Sequence, residues 1–402
     1  MVTAIEQART TLAAHIKERA RSLGFDLVGI TSAEPLPEHG ERLATWLSQG
    51  FHGQMAYMAR KAGKAAEPRL VIPEARSVVV VGMYYRAPEE EPPQGTLCGQ
   101  VSSYARGEDY HLVMGRRLET LARFLKENGA RVARWYVDTG PLLDKALAQR
   151  AGIGWFGKNT LIISREYGSW IFLGLLLTDL ELAHDEPASG DCGLCALCLE
   201  QCPTGALVAP YLMDARRCLS YLTIEHRGWI PRELRPSLGN MVFGCDLCQE
   251  VCPWNRVRTP TPHPEFRPRP GMAAPELLPL LHISEEEFQR RFRGMAIKRA
   301  KRSGLRRNVA VALGNLGDPQ AIPALALALS DPDPVVRGHA AWALGRIGGE
   351  EARAALARAM QREESPEVRQ EIALALKDAW NTAPAPQGRP PDKNGREAGD
   401  VS

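Results

Sequence analysis

Twelve residues, CGLCALCLEQCP from Cys192 to Pro203, set four cysteines in the order C-x2-C-x2-C-x3-C-P. Three thiolates on so tight a loop can reach one iron–sulfur cube, and the x3 step carries the fourth away along a helix. In bacterial two-cluster ferredoxins that fourth cysteine ligates the other cluster. A second group, CDLCQEVCP from Cys245 to Pro253, is one ligand short of the same pattern. Cys218 in ARRCLSYL, with 26 residues between it and Cys245, can supply the missing thiolate. The crossover rule assigns Cys192, Cys195, Cys198 and Cys252 to one 4Fe–4S cluster, and Cys202, Cys218, Cys245 and Cys248 to the other. Zinc sites and disulfides are the alternatives. Zinc patterns repeat C-x2-C across a longer gap and do not account for three cysteines in succession followed by Cys-Pro. Cys98 is left over in an acidic loop. Two adjacent cubes form an electron path, and a path needs a terminus.

The rest of the chain is long enough, at 402 residues, for two or three domains. No apolar run approaches the ~20 residues that span a bilayer. The N-terminal segment reads as an amphipathic helix on Ile5, Ala8, Leu12, Ile16, Ala20 and Leu23, without the marks of a signal peptide. A cytoplasmic chain is expected, and there clustered cysteines bind metal or do redox work. FDLVGIT, SVVVVGMYY, ARVARWYVDT and NTLIISREYGSWIFLGLLLT read as strands, the run of valines as a fully buried one. YHLVMGRRLETLARFLKENG reads as a helix closed by Gly129. Residues 1–184 are therefore expected to form a mixed α and β domain, followed by the cysteine-rich domain over 185–256 and a proline-laden linker over 257–274. Beyond it, Arg306, Arg337 and Arg369 mark steps of 31 and 32 residues in a pattern of paired helices that resembles HEAT-type repeats over 275–380. The tail, 381–402, lacks the hydrophobic residues to fold and is expected to be disordered.

Neither G-x-G-x-x-G after a strand nor G-x-x-x-x-G-K-[ST] occurs, so the common nicotinamide and nucleotide sites are not supported. DYHLVMG comes within one residue of a cobalt-ligating D-x-H-x-x-G run, but the spacing favours His111 as an ordinary hydrogen-bonded histidine. Asp138 ends a strand before Thr-Gly-Pro. Partial burial there would raise its pKa and make it a proton donor; alternatively it caps the helix beginning near Pro141.

Three stretches, VDTGPLLDKALAQRAGIGWFGKNTL, CPTGALVAPYLMDARRCLSYLTIEHRG and GNMVFGCDLCQEVCPWN, resemble the epoxyqueuosine reductase family, with motif order matching across nearly the whole chain. The resemblance implies a multidomain α+β protein. It would comprise an N-terminal mixed α/β cobalamin-binding domain, a ferredoxin-like two-cluster 4Fe–4S domain and C-terminal α-helical HEAT-like repeats. It implies reduction of the epoxide of a modified tRNA wobble base to an alkene, with Asp138 as proton donor to the epoxide oxygen. The cobalamin-contacting set implied by the family falls on Ser102, Asp138, Lys158, Ile162, Leu173, Ser220, Asp246 and Leu247. Ser102 stands where some relatives carry cysteine, and Ala65 where they carry arginine.

An RNA substrate calls for positive charge, which a net charge of +3 does not supply overall. It is concentrated locally: Arg290, Arg291, Arg293, Lys298, Arg299, Lys301, Arg302, Arg306 and Arg307 fall in a stretch with no acid between Glu287 and Asp318. Such a block can neutralise phosphates, or it can be a solvated helix face. His226, Arg227 and Trp229 in IEHRGWIP are candidates for gripping an unstacked loop. An electron donor of ferredoxin or flavodoxin type and a monomeric state are the accompanying expectations. A small-molecule reductase resembling reductive dehalogenases, or a non-catalytic electron carrier, are the competing readings.

Overall fold

The computed structural model describes residues 2–88, 93–256 and 259–381. Part of the acidic loop and the expected disordered tail lie outside the described residues. The N-terminal part is built on a four-stranded sheet of β1 (Leu27–Ser32), β2 (Ser77–Tyr84), β3 (Ala133–Tyr136) and β4 (Ile171–Thr178), in the order β1-β2-β4-β3 with every pair antiparallel. The four valines sit at the middle of this sheet. Successive side chains alternate across a strand, so Val79 and Val81 join the core under α1 (Val2–Ser22), with Ile16 and Ala20. Val78 and Val80 join the opposite core with Leu175 and Leu177. Both faces are covered, which is why the strand reads as a continuous apolar run.

Two helices, α2 (Pro37–Ser48) and α3 (Ala56–Ala65), leave the sheet and form one wall of a large cavity. Helix α4 (Tyr110–Glu127) packs Val113, Leu118, Leu121 and Leu125 onto the sheet, and Gly129 follows with φ +99°. Helix α5 (Asp144–Arg150) presses Ala146 and Leu147 onto the other face. The cysteine-rich segment is short helices and turns, and it leads into α6 (Leu219–Ile224).

The expected linker over 257–274 is, from Thr261 on, a strap packed on the sheet domain. The Thr261 hydroxyl donates to the Tyr84 carbonyl at 2.6 Å. His263 Nε2 meets Asp26 Oδ2 at 2.8 Å, and Phe266 packs edge-on against Phe172. Prolines restrict this segment without freeing it.

The repeats are α7 (Lys301–Leu316), α8 (Ile322–Ala328), α9 (Pro334–Ile347), α10 (Gly349–Arg362) and α11 (Pro366–Asn381). Two glycines set their stacking. A Cβ on Gly314 would lie 2.7 Å from Ala343 Cα, and one on Gly345 2.8 Å from Ala375 Cα, so α7, α9 and α11 touch backbone to backbone at repeat spacing. The repeat arginines have a shared task. Arg306 Nε donates to the Leu281 carbonyl at 2.5 Å, Arg337 Nη1 to Asp331 at 2.8 Å, and Arg369 Nη1 to Glu363 at 2.9 Å. Each satisfies a carbonyl at or just past the end of an earlier helix.

The repeats and the cysteine-rich segment share one core, in which Leu219, Leu222, Ile230, Val242 and Phe243 cluster with Leu305, Val309, Leu313 and Leu344. Arg307 stitches the two together and is 1% exposed. Its five N–H groups go to the carbonyls of Leu222 (2.6 Å), His226 (2.9 Å) and Gly228 (3.0 Å) and twice to Asn308 Oδ1 (3.0 and 2.8 Å). Asn308 in turn donates to the Thr223 and Val242 carbonyls, at 2.8 Å each. Replacing Arg307 with Met would leave those carbonyls buried without donors. Urea denaturation should then show a loss of about 3 kcal/mol or more, whereas a solvent-facing arginine would cost under about 0.5 kcal/mol.

Candidate active site

Asp138 lies just past the end of β3, at φ +44°, in the left-handed region that residues other than glycine seldom adopt. The Thr139 amide donates back to the Val137 carbonyl at 2.5 Å, closing a three-residue turn with Asp138 at its apex. Lys61 of α3 reaches across and donates to the Thr139 carbonyl at 2.6 Å. Strain of this kind persists only where the surroundings over-determine it. The side chain is 53% exposed, and hydrogen bonds surround the carboxylate. It does not cap a helix, since α5 begins at Asp144 with Leu143 as its N-cap.

Two donors from the start of α4 meet the carboxylate. The Tyr110 hydroxyl donates to Oδ2, and His111 Nε2 stands 2.8 Å from Oδ1. The opposite ring nitrogen, Nδ1, is 2.7 Å from Asp109 Oδ1, which also caps α4 by accepting the His111 amide at 3.0 Å. Burial pulls the imidazole's pKa down, but hydrogen bonds and charge from Asp109 and Asp138 outweigh it and raise His111 to about 9. Tyr110 is clamped by stacking on Phe172, with ring centroids 4.3 Å apart and planes 4° from parallel.

Asp138 sits on the wall of a cavity of about 1120 Å³. Trp46, Met58, Leu142, Phe156 and Leu212 give it apolar surface, and Tyr57, Lys61, Asp144 and Lys145 give it polar points. Burial pushes the Asp144 carboxyl up to about 7, with the charge of Asp138 adding and Lys145 opposing. Asp144 and Lys145 both line the cavity. Lys145 feels the charge of Cys248, so the cysteine-rich segment adjoins this wall.

The cysteines divide into two groups. Cys192, Cys195, Cys198 and Cys252 line a small cavity of about 40 Å³ together with Lys158, Asn159 and Trp254. Cys202, Cys218, Cys245 and Cys248 form the second group: burial pushes Cys245 up to about 12, and the charges of Cys218 and Cys202 add to it. Four thiols arranged around one small cavity have room for a cluster between them. Cys98 is buried elsewhere, bridged to Glu276.

The other expected site residues scatter. Lys158 Nζ donates to the Gly193 and Cys195 carbonyls at 2.7 and 2.9 Å, so it braces the first cysteine loop. Ser102 and Asp246 are buried and hydrogen-bonded to each other, and Asp246 Oδ2 also accepts the Ser103 amide at 2.7 Å. Ile162 and Leu173 belong to the sheet core; Ser220 is half-buried on α6, and Leu247 lies between two cysteines of the second group. Of the cobalamin-contacting set, Asp138 alone lines the large cavity.

The basic block divides as well. Arg306 is buried and paired with Asp331, and Arg307 is the stitch described above; neither faces solvent, because buried carbonyls and an acid claim them. Arg227 donates to the Ile224, Ala300 and Arg299 carbonyls. Trp229 stacks on His339 at 5.4 Å, and His226 Nε2 is held 2.7 Å from the Trp229 carbonyl. That loop is structural rather than a free grip. Arg302 is half-buried beside Glu285. Arg290, Arg293, Arg299 and Lys301 stay exposed, with Lys298 half-buried. Arg299 pairs with Glu225 and lies over the Tyr57 ring at 5.7 Å, which brings the block to the cavity mouth.

Sequence reasoning passed over Tyr110, Asp144, Lys145 and Lys61. The signal for Tyr110 and His111 was present: an Asp two residues before a histidine at a helix start caps the helix and holds the imidazole at once.

Comparison with known proteins agrees with this arrangement. Residues 66–139 match the family described as epoxyqueuosine reductase QueG, DUF1730. Residues 191–255 match a 4Fe-4S double cluster binding domain, and 295–377 match HEAT repeats. The chain is 46% identical to an epoxyqueuosine reductase of Pseudomonas aeruginosa over 345 residues, covering 84% of this chain and 95% of that one. It is 43% identical to that of Escherichia coli over 340 residues, covering 83% and 89%. A solved epoxyqueuosine reductase with an epoxyqueuosine-modified tRNA-Tyr stem loop superposes with a TM-score of 0.86 at 36% identity, covering 92% of this chain and 99% of that one. One from Bacillus subtilis, with its aspartate-bearing catalytic loop swung out of the active site, gives 0.85 at 36% identity over the same shares. The chain belongs to the epoxyqueuosine reductase family.

Proposed function

We propose that this chain reduces epoxyqueuosine to queuosine at the wobble position of tRNA, with Asp138 delivering a proton to the epoxide oxygen. The observation that carries the reading is one carboxylate held at the apex of a strained turn by Tyr110 and His111, on the wall of a cavity to which the cysteine-rich segment contributes Tyr211, Leu212 and Met213. The likeness to a relative solved with a modified tRNA stem loop supports the substrate.

The two cysteine groups fit two 4Fe–4S clusters, and the cavity's apolar walls fit a bulky planar group such as cobalamin, which when bound supplies low-potential electrons to the ring carbon. Lys61 fixes the Asp138 turn from across the cavity, Lys158 braces the loop of Cys192 and Cys195, and Asp246 is held by Ser102 and Ser103 beside Cys245. As the C–O bond opens, negative charge grows on oxygen, and an acid within reach relieves it. A ferredoxin- or flavodoxin-type donor and a cytoplasmic, monomeric state complete the reading, with catalysis in 1–184, clusters in 185–256 and RNA binding in 275–380.

Substituting Asp138 with Ala should leave iron content and corrinoid binding in place while lowering turnover at least about 100-fold, read by mass spectrometry of nucleosides from epoxyqueuosine-containing tRNA. Undiminished turnover sinks the assignment. The crossed ligand sets have their own test: Cys198→Ser and Cys252→Ser, singly or together, should each remove about half the iron. Pairing Cys198→Ser with Cys218→Ser should remove nearly all of it. For the RNA surface, replacing Lys298, Arg299 and Lys301 with Ala should reduce the slope of log affinity against log salt by roughly 2, at about 0.7 per lost phosphate contact. An unchanged slope would make the block a wet surface.

A further inference from the structure

Removing an epoxide oxygen as water consumes two electrons and two protons. One C–O bond opens and the oxygen takes a proton to become a hydroxyl; the second C–O bond opens, the hydroxyl takes another proton and leaves as water, and the carbon–carbon double bond forms. The electrons come with the reductase activity. A carboxylate paired with a charged imidazole has no proton of its own, so each of the two protons that Asp138 delivers must be handed to it by a group within reach. Asp109, His111 and Asp138 form a continuous chain in which Nδ1 is 2.7 Å from Asp109 Oδ1 and Nε2 is 2.8 Å from Asp138 Oδ1. Asp109 is fixed by its role at the start of α4, and the Tyr110 ring lies 4.1 Å from the imidazole.

We infer that His111 is the proton reservoir of the site, handing its proton to the Asp138 carboxylate across the Nε2···Oδ1 contact for each protonation step and refilling from solvent between them, since its side chain is 34% exposed, with Asp109 holding the imidazole in register. His111 touches no reacting atom in this scheme and is a positioning and proton-holding residue. The inference rests on the reading of Asp138 as donor. The groups facing His111 are Asp109 and Asp138, with the Tyr110 phenol alongside and Tyr104 behind it. Across the Asp109–Gly294 backbone hydrogen bond stand Arg269 and Arg293. Two carboxylates against one imidazole favour its charged form, in keeping with a pKa raised to about 9. The sign follows: the reservoir is full below that pH and empties as pH rises through it.

Asp109→Asn keeps a good helix cap and removes one carboxylate. Single-turnover rates of the holoenzyme on epoxyqueuosine-containing tRNA should fall above about pH 9 in the parent chain, and the fall should move toward neutrality in Asp109→Asn. His111→Gln keeps a hydrogen bond but no titratable proton; kcat should drop at least about tenfold with KM for tRNA unchanged, and the basic limb should vanish. Carbethoxylation of His111 by diethyl pyrocarbonate, followed by peptide mass spectrometry, reads the imidazole directly and should shift its midpoint downward in Asp109→Asn. An unmoved limb in Asp109→Asn, or parental kcat in His111→Gln, overturns the reservoir. If Asp138→Asn also keeps full turnover, the reading of Asp138 itself has failed; if Asp138→Asn is inactive and the limb is unmoved, only the reservoir has.

Discussion

A buried guanidinium holds the two halves of this protein in register. Arg307 lies in the first repeat helix, yet its five donors end on a neighbouring side chain and on carbonyls of the segment that follows Cys218. Burial lowers its pKa to about 9, so it remains charged at neutral pH. Carbonyl dipoles compensate that charge. Because five fixed donors must all be met, the repeat cannot slide or rotate on the cysteine-rich segment without orphaning several groups at once. The exposed Arg299, in the turn just before that helix, is thereby carried to the cavity wall, where it meets Tyr57.

The same economy of means appears at the acid. A carboxylate that is half exposed is held in place by what touches it. Tyr110 and His111 come from consecutive positions at a helix start, where side chains diverge before the helical repeat takes over. One can thus reach each oxygen of Asp138. Asp109 serves as helix cap and imidazole partner together. Lys61 closes the arrangement from the opposite wall.

The elements legible in the sequence are those whose cause is local or covalent. Valence and thiol spacing define the cysteine groups, burial on both faces explains the valines of β2, and the 31- and 32-residue steps reveal the stacked helices. The fate of the basic block was not legible, because a charge run looks the same whether its partners are phosphates or carbonyls some eighty residues away. One clue was available: Arg306 aligns with Arg337 and Arg369, and a residue that recurs at the repeat period is more simply explained by the repeat than by a ligand. Asp138 could be placed at a strand end, but its partners, 27 and 28 residues earlier, meet it only through the antiparallel sheet. The proline-rich strap misled for a related reason: proline restricts the backbone, and restriction suits a packed strap as well as a linker.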